Sequence, residues 1–262
     1  MKNTLPDTPV PSPSPDVRRR LAALRTEVEA AVRRRVSASP RPAAAPATHE
    51  PRTASRRARA LLMRIAGMVG LLILPFLAFV RTAVWFYHDG HASWVALVGA
   101  GVVCGTLLTA AGARLSSLVT GRHRLEFIAT RLVAPLVILY CGYTLFFLSG
   151  LNAKTTEVKQ YYGSVHPVLR VALGTVILAD REIVVTDARR QREDYAGMGL
   201  PVYERSLHFE QQSGWVHAVD LRTIGRAEWK NVLLNWYFRS MGFRTLRHVG
   251  TADHLHVSLP TR

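Results

Sequence analysis

Two stretches of this sequence put ionisable side chains where apolar ones would cost less. They are SLHFEQQSGWVHAVDLR, residues 206–222, and DHLHVSL, residues 253–259. Both read as strands over part of their length, and burying an imidazole or a carboxylate there is costly unless the group is paired. Side chains alternate across a strand, so a period of two decides which ones share a face. In VHAVDLR, Asp220 points with Ala218 and Arg222, and His217 points the other way with Val219 and Leu221. In HLHVSL, His254 and His256 share one face, and Leu255, Val257 and Leu259 share the other. Asp220, His254 and His256 can therefore line one site, while alternation turns His217 away from it. His208 precedes its strand, in a loop able to fold back over the same face. Two imidazole nitrogens and one carboxylate oxygen make a three-ligand zinc site with the fourth tetrahedral position left for water. Such an ion lowers its water's pKa to about 7 and polarises a substrate carbonyl. Asp253, three residues before His256, is close enough to accept the water's proton. Thiolates play no part, because both cysteines, Cys104 and Cys141, lie far upstream in an apolar region.

The elements that must position these groups fall in residues 152–262. EIVVTDA (182–188) and VHAVDLR (216–222) are β-branched or alternating and read as strands, and FRTLRHV (243–249) with HLHVSL (254–259) reads as a closing pair. Residues 154–178 read as a helical or mixed entry segment. AEWKNVLLNWYFRSM (227–241) has helical periodicity, with Trp229, Val232, Leu233 and Trp236 on one side and Gly242 as a good residue just past the helix end. The expected fold class is α+β, a small and mostly antiparallel sheet with helices.

Upstream, composition changes twice. Residues 61–151 hold three runs of about the 20 apolar residues that a helix needs to cross a bilayer: 67–87, 93–112 and 132–151. Residues 1–60 are rich in Pro, Ala and Arg, cannot bury enough apolar surface to offset their ordering entropy, and are expected to be mostly disordered. Within them only 16–36 is periodic, with Val17, Leu21, Leu24, Val28 and Val32 on one helical stripe and Asp16 as N-cap. This stripe suits self-association through a short coiled coil, or the membrane surface.

The chain's net charge is +16, and the tail holds 13 Lys and Arg against 5 Asp and Glu. The loop around 88–92 carries no Lys or Arg, and the next connection holds Arg114, Arg122, Arg124 and Arg131. Positive flanks stay cytoplasmic, so the expected topology is an inner, multi-pass membrane protein. Its N-terminus is cytoplasmic and its C-terminal domain lies outside, in the periplasm or the extracellular space. Arg81, near the outer end of the first run, is the one residue that sits awkwardly in this scheme. The basic residues are not interleaved with aromatics, so the lipid bilayer, not nucleic acid, is the expected partner of the charge.

SLH, AVDLRT, a helix ending in MGF, and DHLHV together resemble the zinc D-alanyl-D-alanine carboxypeptidases and murein endopeptidases. That superfamily also includes the Hedgehog signalling domain. Its pattern is S-x-H-x-x-G-x-A-x-D followed by an acidic residue and H-x-H or x-x-H. Ser206, His208, Ala218 and Asp220 fill the first part, and Asp253 and His256 fill the second. The resemblance covers roughly 157–260. It implies that His208, Asp220 and His256 bind Zn2+, that Asp253 is the general base, and that His254 contacts the transition state or supports the ligands. It also makes Arg189 or Arg190, after the strand VVTDA, a candidate for a substrate carboxylate. Twelve residues separate His208 from Asp220 where the family has seven, and the five extra residues put Trp215 at the expected rim of the cleft. The function implied is a membrane-anchored zinc metallopeptidase acting on peptidoglycan peptides. The alternative is an inactive module of the same fold that binds wall peptides or a partner as a sensor or scaffold.

Overall fold

The computed structural model describes residues 14–37, 52–122, 124–197, 199, 201–250 and 253–261. The chain divides into two compact units, 1–59 and 60–262. Much of the tail expected to be disordered, 1–13 and 38–51, lies outside the described residues. Within the first unit, the periodic segment forms α1 (Pro15–Ser37). Asp16 sits inside its first turn and is not the cap expected from sequence. Val17, Leu21, Leu24, Val28 and Val32 are all exposed along it.

Three apolar helices follow: α2 (Arg52–His88), α3 (Ser93–Thr120) and a third that begins at α4 (Leu125–Phe127). It continues through a π-helical stretch (Ile128–Val133) into α5 (Ala134–Phe146). All three are long and apolar enough to cross a membrane. The third ends at Phe146, short of residue 151, because Phe147 turns to extended backbone. The rest of the chain supplies α6 (Thr156–Tyr161), α7 (Pro167–Ala179), β1 (Val185–Asp187), α8 (Arg192–Gly197), β2 (Ala218–Arg222), α9 (Glu228–Met241), β3 (Arg244–His248) and β4 (His254–Ser258). The fold class is therefore α+β, mostly helical, with one small sheet.

The sheet has four strands in the order β1-β2-β4-β3, antiparallel throughout. Its two faces differ as alternation requires. Val219, Leu221, Leu255 and Val257 are buried on one, and that face joins a core that also takes in Leu169, Leu173, Leu234 and Phe238. The same core runs on into Phe79, Val80 and Val84 of α2 and Ala96, Ala100 and Cys104 of α3. Helix α7 makes this continuity. It is apolar almost all round, as a helix covered on every side must be. At Gly174 it comes so close to α5 that an added Cβ would lie 2.8 Å from Thr144 Cβ. Polar groups tie the junction as well: Tyr162 donates to the Thr144 carbonyl at 2.6 Å and Arg170 to the Leu145 carbonyl at 2.7 Å.

Candidate metal centre

The second face of the sheet carries the ionisable side chains. Register sets Asp220 directly opposite His256, with Arg222 opposite His254 and His248 beyond it on β3. A directly opposed cross-strand pair brings side chains on one face into contact. His256 Nδ1 accordingly lies 2.8 Å from Asp220 Oδ1.

The third member, His208, comes from the loop before β2, which is held over this face at several points. The Arg190 amide donates to the His208 carbonyl at 3.0 Å, and the His217 amide donates to the Leu207 carbonyl at 2.9 Å. His208 is buried, and its Nδ1 lies 2.7 Å from the Ala188 carbonyl oxygen. A carbonyl can only accept, so Nδ1 carries the proton and Nε2 presents a lone pair inward. Fixing a ligand's tautomer through its other ring nitrogen is the usual outer support of a metal site.

The stretch between His208 and β2 does not disturb this arrangement. It forms a closed loop in which Glu210 bridges Val216, the Gln211 amide donates to the Trp215 carbonyl, and Gly214 turns the chain at φ 75°. A side chain at that φ would strain the turn, which accounts for glycine there.

His208 Nε2 is 3.3 Å from Asp220 Oδ1 and 3.3 Å from His256 Nδ1. Donors on a tetrahedral ion with bonds of about 2.0–2.1 Å stand about 3.3–3.4 Å apart. The set thus fits a zinc-sized ion with a slight opening of the His256–Asp220 pair. Among the described residues, His208, Asp220 and His256 form a group of three able to hold a metal. Burial opposes the charge on Asp220. The contacts with His208 and His256 outweigh it and hold the carboxyl well below the usual range. Asp220 Oδ2 accepts from Arg190 Nη2 at 2.7 Å, and Arg190 also pairs with Asp187. Burial opposes the Arg190 charge too, and these two carboxylates more than restore it.

The site lines a cavity of about 930 Å3 that also takes in Lys154, Arg205 and Arg222. Of the residues expected there, Ser206 and Arg190 line it; the Ser206 hydroxyl accepts from the His208 amide at 3.3 Å. His254 is there as well, with Nε2 3.8 Å from Asp220 Oδ2 and its ring stacked on His248 at 4.6 Å. Asp253 lies at the cavity edge, its carboxylate held by Arg247 at 2.7 and 2.9 Å and by Thr223 at 2.6 Å. These bonds lower its pKa to about 2.

Two expected residues are not brought in. Arg189 pairs with Glu210 at 3.1 Å, and Trp215 lies under the Arg170 guanidinium, 5.3 Å away. Both are engaged with the stretch between His208 and β2 or its neighbours instead. Arg222 was within reach of sequence reasoning, since it shares Asp220's face. The Arg247 clamp was not, because it joins β3 to residues that lie just outside β4 and β2.

No protein-family model matches this chain, and no curated protein or solved structure does either.

Proposed function

We propose that the chain is a membrane-anchored zinc metallopeptidase hydrolysing amide bonds of peptidoglycan peptides, of the D,D- or L,D-type. The observation that carries this reading is the convergence of His208 Nε2, Asp220 Oδ1 and His256 Nδ1 beside a cavity wide enough for a short peptide. These three residues would hold the ion. Bound there, zinc would supply a nucleophilic water near neutral pH and Lewis acidity at the scissile carbonyl.

The chain's own groups supply the remainder. Arg190 keeps Asp220 ionised and aimed. His254 donates from Nε2 to the oxygen that becomes negative. Asp253, whose Oδ2 accepts from Arg247 Nη2 and keeps a second lone pair, would take the proton. Arg190 is committed to two carboxylates, so a substrate carboxylate falls to Arg205 or Arg222, both exposed at the rim. The Lys and Arg distribution supports a cytoplasmic N-terminus and a sheet outside the membrane, where the wall polymer is.

One observation favours a second reading. With both oxygens of Asp253 engaged, the fold would also suit a module that binds wall peptides, or a partner, without cutting them. The deciding experiment uses the full chain in detergent with one equivalent of zinc, incubated with purified peptidoglycan fragments and followed by mass analysis. Cleavage abolished by a chelator and by His256→Ala supports the peptidase. Fragments bound but left intact support the module.

A further inference from the structure

The apolar stripe of α9 faces outward. Leu234 and Phe238 enter the core, whereas Trp229 and Trp236 are 63% and 67% exposed and Val232 and Leu233 are more than half exposed. Contiguous exposed apolar surface of this kind marks an interaction site, and the contacts at each end of the helix identify what covers it.

At its C-terminus, α9 meets α2. Arg81 Nη1 reaches the Met241 carbonyl at 3.5 Å, placing a cation at the negative end of the helix. The next residue, Gly242, has φ 102° and sits so close that an added Cβ would lie 2.9 Å from both Arg81 Nη1 and Val84 Cγ1. Arg81 is seven residues short of the α2 terminus at His88, about 10 Å along the helix axis. At its N-terminus, Lys230 reaches Glu182 at 2.6 Å, and Arg226 pairs with Asp180 at the end of α7. The same stretch is tied to Asn152, just past α5, whose side-chain amide donates to the carbonyls of Arg181 and Ile183 at 3.0 and 2.8 Å. Midway, Tyr237 donates to the Ala172 carbonyl of α7 at 2.9 Å. The C-terminus of α9 is therefore held within about 10 Å of the end of α2, and its N-terminus is tied to the chain just past α5, so the helix lies beside the ends of the apolar helices. Trp85 and Trp94, also exposed, stand at the ends of α2 and α3 there. Four of the chain's five tryptophans are thus exposed, two on α9 and two at the ends of α2 and α3.

We propose that α9 lies in the lipid interface of the outer leaflet, with Trp229, Val232, Leu233 and Trp236 seated at the headgroup–acyl boundary. Tryptophan favours that boundary because its ring is apolar and its N–H remains near water. A helix lying in the interface with one apolar face buried is a known mode of membrane contact. The C-terminus of α9 is seated on α2, a helix that exposes Leu71, Leu72, Ile73, Leu74 and Trp85, and this shared apolar exposure makes lipid the occupant. Arg81 acquires a purpose on this account: it closes α9's C-terminus at the depth where an arginine still reaches polar groups. The proposal rests on α2, α3 and α5 spanning a bilayer, and its test separates the two claims.

The full chain, with Cys104→Ala and Cys141→Ala, is reconstituted in phosphatidylcholine nanodiscs. A nitroxide is attached in turn at Trp229→Cys, Val232→Cys, Trp236→Cys, Leu139→Cys on the exposed side of α5, and Glu193→Cys on α8. Relaxation by oxygen, which partitions into lipid, is compared with relaxation by a water-soluble nickel chelate. Oxygen preference at 229, 232 and 236, shallower than at 139 and absent at 193, is the expected result. Lipid exposure at 139 with water exposure along α9 overturns the proposal and spares the spans. Water exposure at 139 removes both. Spin–spin broadening between copies at 236 shows that a second chain covers the stripe and also overturns it. The native protein provides a check free of cysteine changes. Lipids brominated near the glycerol should quench its tryptophan emission, and Trp229→Phe with Trp236→Phe should cut the quenchable part by about half. An unchanged quenchable part counts against the proposal.

Discussion

Two of the molecule's close pairs of histidines teach opposite lessons. His208 and His256 have ring centroids 5.1 Å apart, and His166 and His217 have theirs 4.7 Å apart. The second pair is the more deeply buried. His166 accepts from the Val168 amide at Nδ1, so its Nε2–H donates to Ser93 at 2.8 Å. His217 donates from Nδ1 to the Leu259 carbonyl and accepts from Ser213 at Nε2, 2.8 Å away. Four ring nitrogens thus meet neutral partners of the right polarity, and burial lowers the His217 pKa. In the first pair, His208 turns a lone pair toward a carboxylate, an arrangement that calls for a cation. Proximity of two imidazoles therefore does not mark a metal site. A shared carboxylate, with a tautomer pinned from behind, makes a group able to hold one.

The largest expected effect breaks the symmetry between the pairs outright. His208→Ala, Asp220→Ala and His256→Ala should each abolish zinc retention by the purified full chain. His217→Gln and His166→Gln should leave about one zinc per chain. Metal analysis after dialysis decides it, and loss of zinc in the His217 variant would dissolve the distinction. Next in size is Arg190→Met. It strands Asp220 Oδ2 and should weaken zinc affinity by about 10–100-fold, as loss of outer support does elsewhere, read by competition with a chromogenic chelator. The sealed pair should answer in stability instead. His166→Phe leaves the Ser93 hydroxyl and the Val168 amide without their partner, at a cost of about 1–3 kcal/mol, visible as a lower thermal midpoint with zinc content unchanged.

Smallest is the pH response of Asp253. Its folded pKa, about 2, lies below the ordinary carboxylate value of about 3.9. Its contribution is therefore complete above about pH 4 and disappears as pH falls toward 2. The difference in thermal midpoint between the native chain and Asp253→Asn should close over that window, and a difference that persists at pH 2 would contradict the assigned cause.

The site's face was legible because alternation is a strict rule. Asp220, His254 and His256 were placed together, and His217 was sent to the other side, from spacing alone. His208 was not legible in that way, because a loop's path is set by contacts such as Ala188 and Arg190 that lie far away in sequence. Here the motif supplied what periodicity lacked. The stripe on α9 shows a different limit. Helical period finds an apolar side at Trp229, Val232, Leu233 and Trp236, but it does not reveal whether protein or lipid meets it. Nor does composition, which changes near residue 152, reveal that the core runs through that point without a break.

That unbroken core governs how the protein can be taken apart. A cut after the third apolar helix would free a fragment whose α7 bares Leu169, Val171 and Leu173, all buried in the intact chain. The sheet is not cargo on a tether. The apolar helices are one wall of the core that keeps it folded, so the sheet and these helices belong to one compact unit.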